Sequence, residues 1–532
     1  MTFDCVLEGG TIYDGVGGEP FVADLGVAGD KIQAIGDLSG VTAKERIKVA
    51  GLAVAPGFVD LHTHSDFTLL VNGKAESQVH QGVTTEVVGQ CGISCAPVNC
   101  DADIEKNGVG FMPGCVGLGW RSFGDYLARL EAMPLGVNVA AFVGQGTVQQ
   151  AVMGDALRAP DPEELDRMER LVEEAFEQGA FGLSSGLEYW PGRLSRVEHL
   201  MPLCAVAARK GGLYASHVRN RDIYYDIGFG EAISTARTAG ARLQISHIQP
   251  KFGAPDYAME HTLEMIELAK RRGVDCAYDV IPHDWSHTRI SAILPHWALE
   301  GGPLALLDRL ADPAQRALIK RNPNPMWRLV SAGHWREIRL LRSDANAGLV
   351  GATFEEIGRD RGVDPYDAAL DLMLEEGEGL HRLLWTSRSF SEADVRLCLQ
   401  QTDCAVISDT LALAPYGELE GQIGSLSGYG WAARFLGTYV RDEALLSLAE
   451  GIRRLTSLPA ARLGLKDRGT LAAGKKADIV VFEADQIASR CTIQEPRRYA
   501  TGIAHVLVNG RPVMREGRRL DNDPGEVLRL SG

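Results

Sequence analysis

The 532-residue chain has no apolar run close to the ~18 residues that a membrane-crossing helix needs, so no membrane partner is expected. Its first residues show no charged stretch leading into an apolar one, the pattern of a secretory leader. Basic residues are outnumbered, 54 against 70 acidic ones, and they form no stripe, which argues against nucleic acid as a partner. The net charge of -16 is spread along the chain and reads as solubility. Ten cysteines are scattered from Cys5 to Cys491 without the dense spacing of a disulfide framework. A reducing, cytoplasmic setting is the expectation. No repeat and no low-complexity tract interrupts the sequence.

What is present is an ordinary globular composition, 45% apolar and 23% charged, in a chain long enough for one large barrel and an accessory domain. The two ends read alike. "FDCVLEGGTIYDG" and "ADLGVAGDKIQAIG" near the start alternate apolar and polar residues. "ADIVVFEA" and "IAHVLVNGRPVM" near the end do the same, the latter with an Asn-Gly hairpin turn. Residues 1–55 and 465–532 are therefore expected to pair into one small discontinuous β-domain.

Between them, residues 56–464 hold eight short apolar runs: "GFVDLHTH", "TTEVVGQCG", "NVAAFVGQG", "AFGLSSGLE", "GLYASHVRN", "RLQISHIQP", "VDCAYDVIP" and "DCAVISDT". Amphipathic helices such as "DPEELDRMERLVEEAFEQG" separate most of them. Eight alternations of strand and helix predict an α/β fold, a TIM-like (β/α)8 barrel. Continuous apolar runs suit strands buried on both faces. The seventh and eighth runs are too far apart for a simple connection, and residues from about 285 to 345 read as an inserted lid.

Six of the eight runs end on groups that bind metals or move protons. The first ends in His62-Thr63-His64, the second in Cys91; the fifth carries His217, the sixth His247, and the eighth ends in Asp409, while His283 lies just past the seventh. Strand C-termini of such a barrel converge on one mouth, where active sites sit. His-x-His on a strand aims both imidazoles at one face. Imidazole and thiolate are the usual zinc ligands. An aspartate beside them can take a proton from a zinc-activated water and pass it to a leaving amine. Taken singly, each residue has a plainer reading: Cys91 as a small buried hydrophobe, the histidines as satisfied core residues, Asp409 as a helix N-cap. Together, at the ends of separate strands, they predict a metal-dependent hydrolase. His80, His261 and His505 fall in helix-like or accessory segments and read as structural. Glu188, ending the fourth run, is a candidate to point into the site.

These motifs resemble those of the N-acyl-D-amino-acid deacylases (D-aminoacylases) of the amidohydrolase superfamily, nearly end to end. "APGFVDLHTHSD" is similar to the superfamily's first-strand motif. "GVTTEVVGQCGISCAP" looks like the deacylase segment that supplies a cysteine ligand, and "LTSLPAARLGLKDRGTLAAGKKADIVVFEAD" like the closing segment that re-enters the small domain. The resemblance implies a β-sandwich built from both chain ends. It also implies one tight zinc on Cys91, His217 and His247, and a weaker second position on His62 and His64 with Cys91 bridging. Asp409 would be the general acid/base and a further ligand of the weaker position. The implied partner is a small-molecule amide, with assembly into a homo-oligomer left open.

The substrate shell departs from the family. The "HPR" triplet that usually follows the catalytic aspartate is missing, the seventh motif reads "VIPHDWSHTRIS", Ile248-Gln249 replace a His-Lys pair, and Gln145 stands where a histidine is common. Arg289, Lys251 and Arg219 are the candidates for a replacement carboxylate clamp, with His283, Asp284 and His287 adding polarity. Hydrolysis of an N-acyl-D-amino acid is the leading expectation. A different or cyclic amide is the alternative that the altered clamp suggests, and a metal-free scaffold is the remote one.

Overall fold

A computed structural model describes residues 2–530 apart from 155, 157, 325, 326, 423 and 424, with the side chains of 106, 378, 381 and 382 also outside the description. The eight apolar runs become eight parallel strands in sequence order: Phe58–Asp60, Val83–Val88, Asn138–Gly144, Gly182–Gly186, Leu213–His217, Arg242–Ile245, Cys276–Val280 and Cys404–Val406. All their residues but Arg242 are buried, as parallel strands between helices and a packed interior require. The barrel closes at its C-terminal mouth. Thr63 pairs with Thr410, the Asp409 N–H donates to the His62 carbonyl at 3.1 Å, and the His64 N–H donates to the Thr410 carbonyl at 2.7 Å.

The helices follow from local chemistry. In Pro162–Glu177, Asp161 accepts from the Glu164 N–H, proline sits in the first turn, and Met168, Val172, Ala175 and Phe176 are buried at helical spacing. The other barrel helices repeat this amphipathic logic and wrap the strands.

Both chain ends join one nine-stranded sheet. Ile479–Phe482, returning from the barrel, lies antiparallel to Ala53–Pro56, which precedes the first barrel strand. The sheet curls back on itself. The Ile32 N–H donates to the Lys475 carbonyl at 2.9 Å, and Leu7, Leu25, Val27, Ile479, Val481 and Leu507 share one core. The expected hairpin turn is present at Asn509 and Gly510, both with positive φ, and a Cβ at Gly510 would lie 2.1 Å from the Gly29 carbonyl oxygen.

The chain between the seventh and eighth strands differs from expectation in extent. Three antiparallel strands, Ser286–Arg289, Ile338–Arg342 and Leu384–Ser387, hold a separate hydrophobic core running from Ile290 to Trp385. The inserted unit thus extends well past position 345 and includes the helices Phe354–Arg361 and Pro365–Glu376. Positions 325 and 326 of the expected lid lie outside the described residues.

Candidate metal centre at the barrel mouth

Cys91, His217 and His247 come together from three strand ends. The Cys91 Sγ lies 3.6 Å from His217 Nδ1 and 3.5 Å from His247 Nε2, and the two nitrogens are 3.0 Å apart. The edges of a tetrahedral zinc site, worked from its usual bond lengths, are about 3.6 Å for N···S and about 3.3 Å for N···N. The three residues therefore fit zinc, with only the N···N edge short by a few tenths of an ångström. A second group shares Cys91: His62 Nε2 is 3.3 Å from Cys91 Sγ and 3.4 Å from Asp409 Oδ1, and His64 Nε2 is 3.1 Å from the same Oδ1. Ligand atoms within each group all lie within 4.8 Å of one another.

Local backbone strain aims these side chains. Cys91, His247 and Asp409 have φ of 53°, 35° and 50°, a region that L-residues seldom adopt. Each turn is pinned: Asp409 by the His62 carbonyl, His247 by the buried Asp279 carboxylate at 2.5 Å. Position 186, which packs on Cys91, has room only for glycine, since a Cβ there would lie 2.0 Å from the Cys91 carbonyl oxygen.

The electrostatics suit neutral imidazoles at His217 and His247 and an ionised Asp409, which in turn raises His64 against its burial. Burial pushes His217 down to about 4 against the pull of Glu188, and pushes His247 well below its usual range. Burial pushes the Cys91 thiol far up, with Asp409 adding to it, so a thiolate here needs a cation beside it. Burial alone would raise Asp409, but hydrogen bonds from His62 and His64 hold it well below the usual carboxylate range.

The substrate candidates separate. Arg219 is bonded to Glu231 at 3.0 Å and to the carbonyls of Arg193 and Ser195, which leaves its guanidinium no free edge for a carboxylate. Lys251 is buried and donates to Glu188 at 2.6 Å, and Glu188 also accepts from His217 Nε2 at 2.7 Å. His283 turns to Asp284, 3.2 Å away, and the other charges acting on it are those of Arg434 and Glu392. Gln145 bonds to Gln149 and Ser195. His80, His261 and His505 sit away from the cluster; His80 stacks on Tyr499 and His261 bonds Tyr225.

Arg289 differs from these. Its side chain has no polar partner among the described residues, and burial alone lowers its pKa. It shares a strand face with His287, two residues before it. His287 is pushed down to about 4 by burial, with Asp409 and His64 as the charges acting on it.

Sequence reasoning missed several supports. Asp60 accepts from the backbone N–H groups of His62 and Ser408, and Asp279 from His247 and Gln244. Burial pushes them up to about 7 and about 6. Their signal was an acid inside an otherwise apolar strand. Arg221 holds the His247 carbonyl, and Tyr189 packs its ring 4.7 Å from that of His217. Arg193 also has no polar partner among the described residues; burial and Arg219 lower its pKa, opposed by Glu188.

Comparison with known proteins agrees with this geometry. A profile of the amidohydrolase family matches residues 47–247 and 407–514, passing over the inserted unit. An N-acyl-D-glutamate deacylase from Alcaligenes xylosoxydans xylosoxydans is 33% identical over 99% of this chain and 96% of its own. The N-acyl-D-glutamate deacylase of Bordetella bronchiseptica, solved with zinc and a phosphonate mimic of the tetrahedral intermediate, is 30% identical with a TM-score of 0.83, covering 99% of this chain and all of its own. A D-aminoacylase studied for its binuclear metal centre is 29% identical with a TM-score of 0.80 over 99% of this chain and 100% of its own. With whole-length likeness, a matching barrel and small β-domain, and the donor groups in place, the chain belongs to the amidohydrolase family, among its N-acyl-D-amino-acid deacylases.

Proposed function

We propose that this protein is a zinc-dependent hydrolase that removes the acyl group from N-acyl-D-amino acids. The observation that carries the proposal is the pair of donor groups joined at Cys91, with the ionised Asp409 on their edge. Cys91, His217 and His247 would hold the tight zinc. His62, His64 and Asp409, sharing Cys91, would hold a weaker second ion. Bound zinc supplies Lewis acidity to the amide carbonyl and lowers the pKa of a neighbouring water.

The chain's own groups do the rest. Asp409, kept ionised by His62 and His64, takes a proton from the attacking water and delivers it to the leaving amine, so that the amide C–N bond breaks with a neutral amine leaving. His287 closes the site from the inserted unit. Arg289, about 7 Å further along the same strand face and without a polar partner among the described residues, would receive the carboxylate of the substrate. The D configuration and the amino-acid leaving group rest on the relatives, whose names carry them.

The test pairs metal quantification with a substrate panel of N-acetyl-D-amino acids, their enantiomers, and uncharged or cyclic amides. Zinc-dependent hydrolysis restricted to the D-derivatives is expected. Asp409→Asn should keep the tight zinc and lose about 10²- to 10⁴-fold in turnover. Hydrolysis of cyclic or uncharged amides alone would replace the substrate class, and parental turnover by Asp409→Asn would remove the proton role.

A further inference from the structure

Glu188 and Lys251 looked from the sequence like substrate contacts, but their geometry serves another purpose. His217 offers Nδ1 to the metal group, 3.6 Å from Cys91 Sγ, so Nδ1 must carry a lone pair and Nε2 the proton. That Nε2–H donates to Glu188 Oε2 at 2.7 Å, which fixes the tautomer and the ring plane. The same oxygen accepts from Lys251 Nζ at 2.6 Å. Side-chain exposures are 3% for His217, 3% for Glu188 and 6% for Lys251, leaving little room for a substrate to part them. The ammonium of Lys251 lies 4.8 Å from the centre of the Trp327 ring, which comes from the inserted unit. The Lys251 backbone N–H donates to the Arg221 carbonyl at 2.6 Å, and Arg221 in turn holds the carbonyl of His247.

We infer that Glu188 and Lys251 are a positioning pair for the zinc ligand His217, and that Trp327 makes the inserted unit part of the metal site. Glu188 supplies the acceptor that orients His217. Lys251, 2.6 Å from the same oxygen, supplies a counter-charge to that buried carboxylate and holds it in place. Trp327 holds the ammonium by its ring face and seals it from water. The inference rests on the zinc reading above.

The experiment measures zinc affinity of the full chain by competition with a chelator, alongside kcat and KM on an N-acetyl-D-amino acid. Glu188→Leu should weaken the tight zinc by about 10- to 100-fold and leave KM within about twofold at saturating zinc. Glu188→Gln, which keeps an acceptor, should recover most of that loss. Lys251→Met should weaken zinc several-fold, and adding it to Glu188→Leu should cost little more, since both act through one contact. Trp327→Leu should lose zinc to the chelator faster than the parent. If these variants bind zinc as tightly as the parent while KM rises about tenfold or more, the pair contacts substrate and the inference is overturned. Should Glu188→Leu fail to fold, Lys251→Met and Trp327→Leu give the same decision. A parent protein that takes up no zinc would instead sink the zinc reading itself.

Discussion

Arg289→Met should make this protein more stable and less able to use its substrate. Arg289 is half-buried on the Ser286–Arg289 strand without a polar partner among the described residues, so folding desolvates a charge that none of them repays. Methionine keeps the length of the side chain and removes that cost, which is worth about 1 kcal/mol, or a melting-temperature rise of about 1–3 °C. A substrate carboxylate held by two charge-assisted hydrogen bonds from the guanidinium would lose about 2–4 kcal/mol, roughly 30- to 700-fold in kcat/KM. The assay compares an N-acetyl-D-amino acid with an N-acetyl amine that lacks the carboxylate. The loss should fall on the first and spare the second. Equal losses on both would mean that the strand merely shapes the mouth. No loss on Arg289→Met, with a large one on Arg193→Met, would move the clamp to Arg193.

Two further expectations concern stability away from the site. Asp394, in the first turn of Glu392–Leu399, is pushed up to about 6 by burial, with Glu260 and Asp256 adding repulsion. Its folded pKa exceeds its unfolded one, so the penalty is absent below about pH 4, grows as pH rises to about 6, and persists above. Asp394→Asn should therefore raise the melting temperature at pH 7.5 and leave it unchanged at pH 4, the neutral-pH gain staying below about 3 kcal/mol because the group is partly exposed; a gain that is the same at both pH values would refute the assignment. The last described residues pair with the underside of the barrel: the Gly525 N–H donates to the Leu135 carbonyl at 2.7 Å, Leu528 to Val139 at 2.7 Å and Leu530 to Gly179 at 3.1 Å. Removing residues 521–532 should cost about 2–5 kcal/mol, seen as earlier urea unfolding, while kcat/KM and zinc content stay within about twofold because the site is at the other end. Lost zinc in the truncated chain would show that the two ends of the barrel are coupled.

The strands, and the donor side chains that the fold gathers at their ends, were legible because their chemistry is local. An apolar run that stops at His62, Cys91, His217, His247 or Asp409 announces both a buried strand and a polar mouth, and the parallel barrel then assembles the ends. What was not legible is everything that depends on a distant partner. Lys251 and Arg219 look like free cations in the sequence, and only the fold places Glu188 and Glu231 against them. Arg289 looks the same on paper and has no polar partner among the described residues. The left-handed turns at Cys91, His247 and Asp409 carry no signature at those residues, because side chains of that kind prefer other backbone angles and are held there by Asp279, by the His62 carbonyl and by flanking glycines. The extent of the inserted unit was hidden for a related reason. Phe354–Arg361 opens on a Thr353–Glu356 capping box as sound as the one before Pro162–Glu177, and both helices are amphipathic. Amphipathicity says that a helix has a face to bury but not which core receives it, and here the core is that of Trp335, Tyr366 and Trp385 rather than the barrel. The same unit brings Trp327 against Lys251 and carries His287 and Arg289 on one strand. The departures from the family's motifs thus fall in both parts, Gln145, Ile248-Gln249 and the stretch after Asp409 in the barrel and His287 and Arg289 in the insertion, so substrate choice should be sought in the insertion as well as in the barrel.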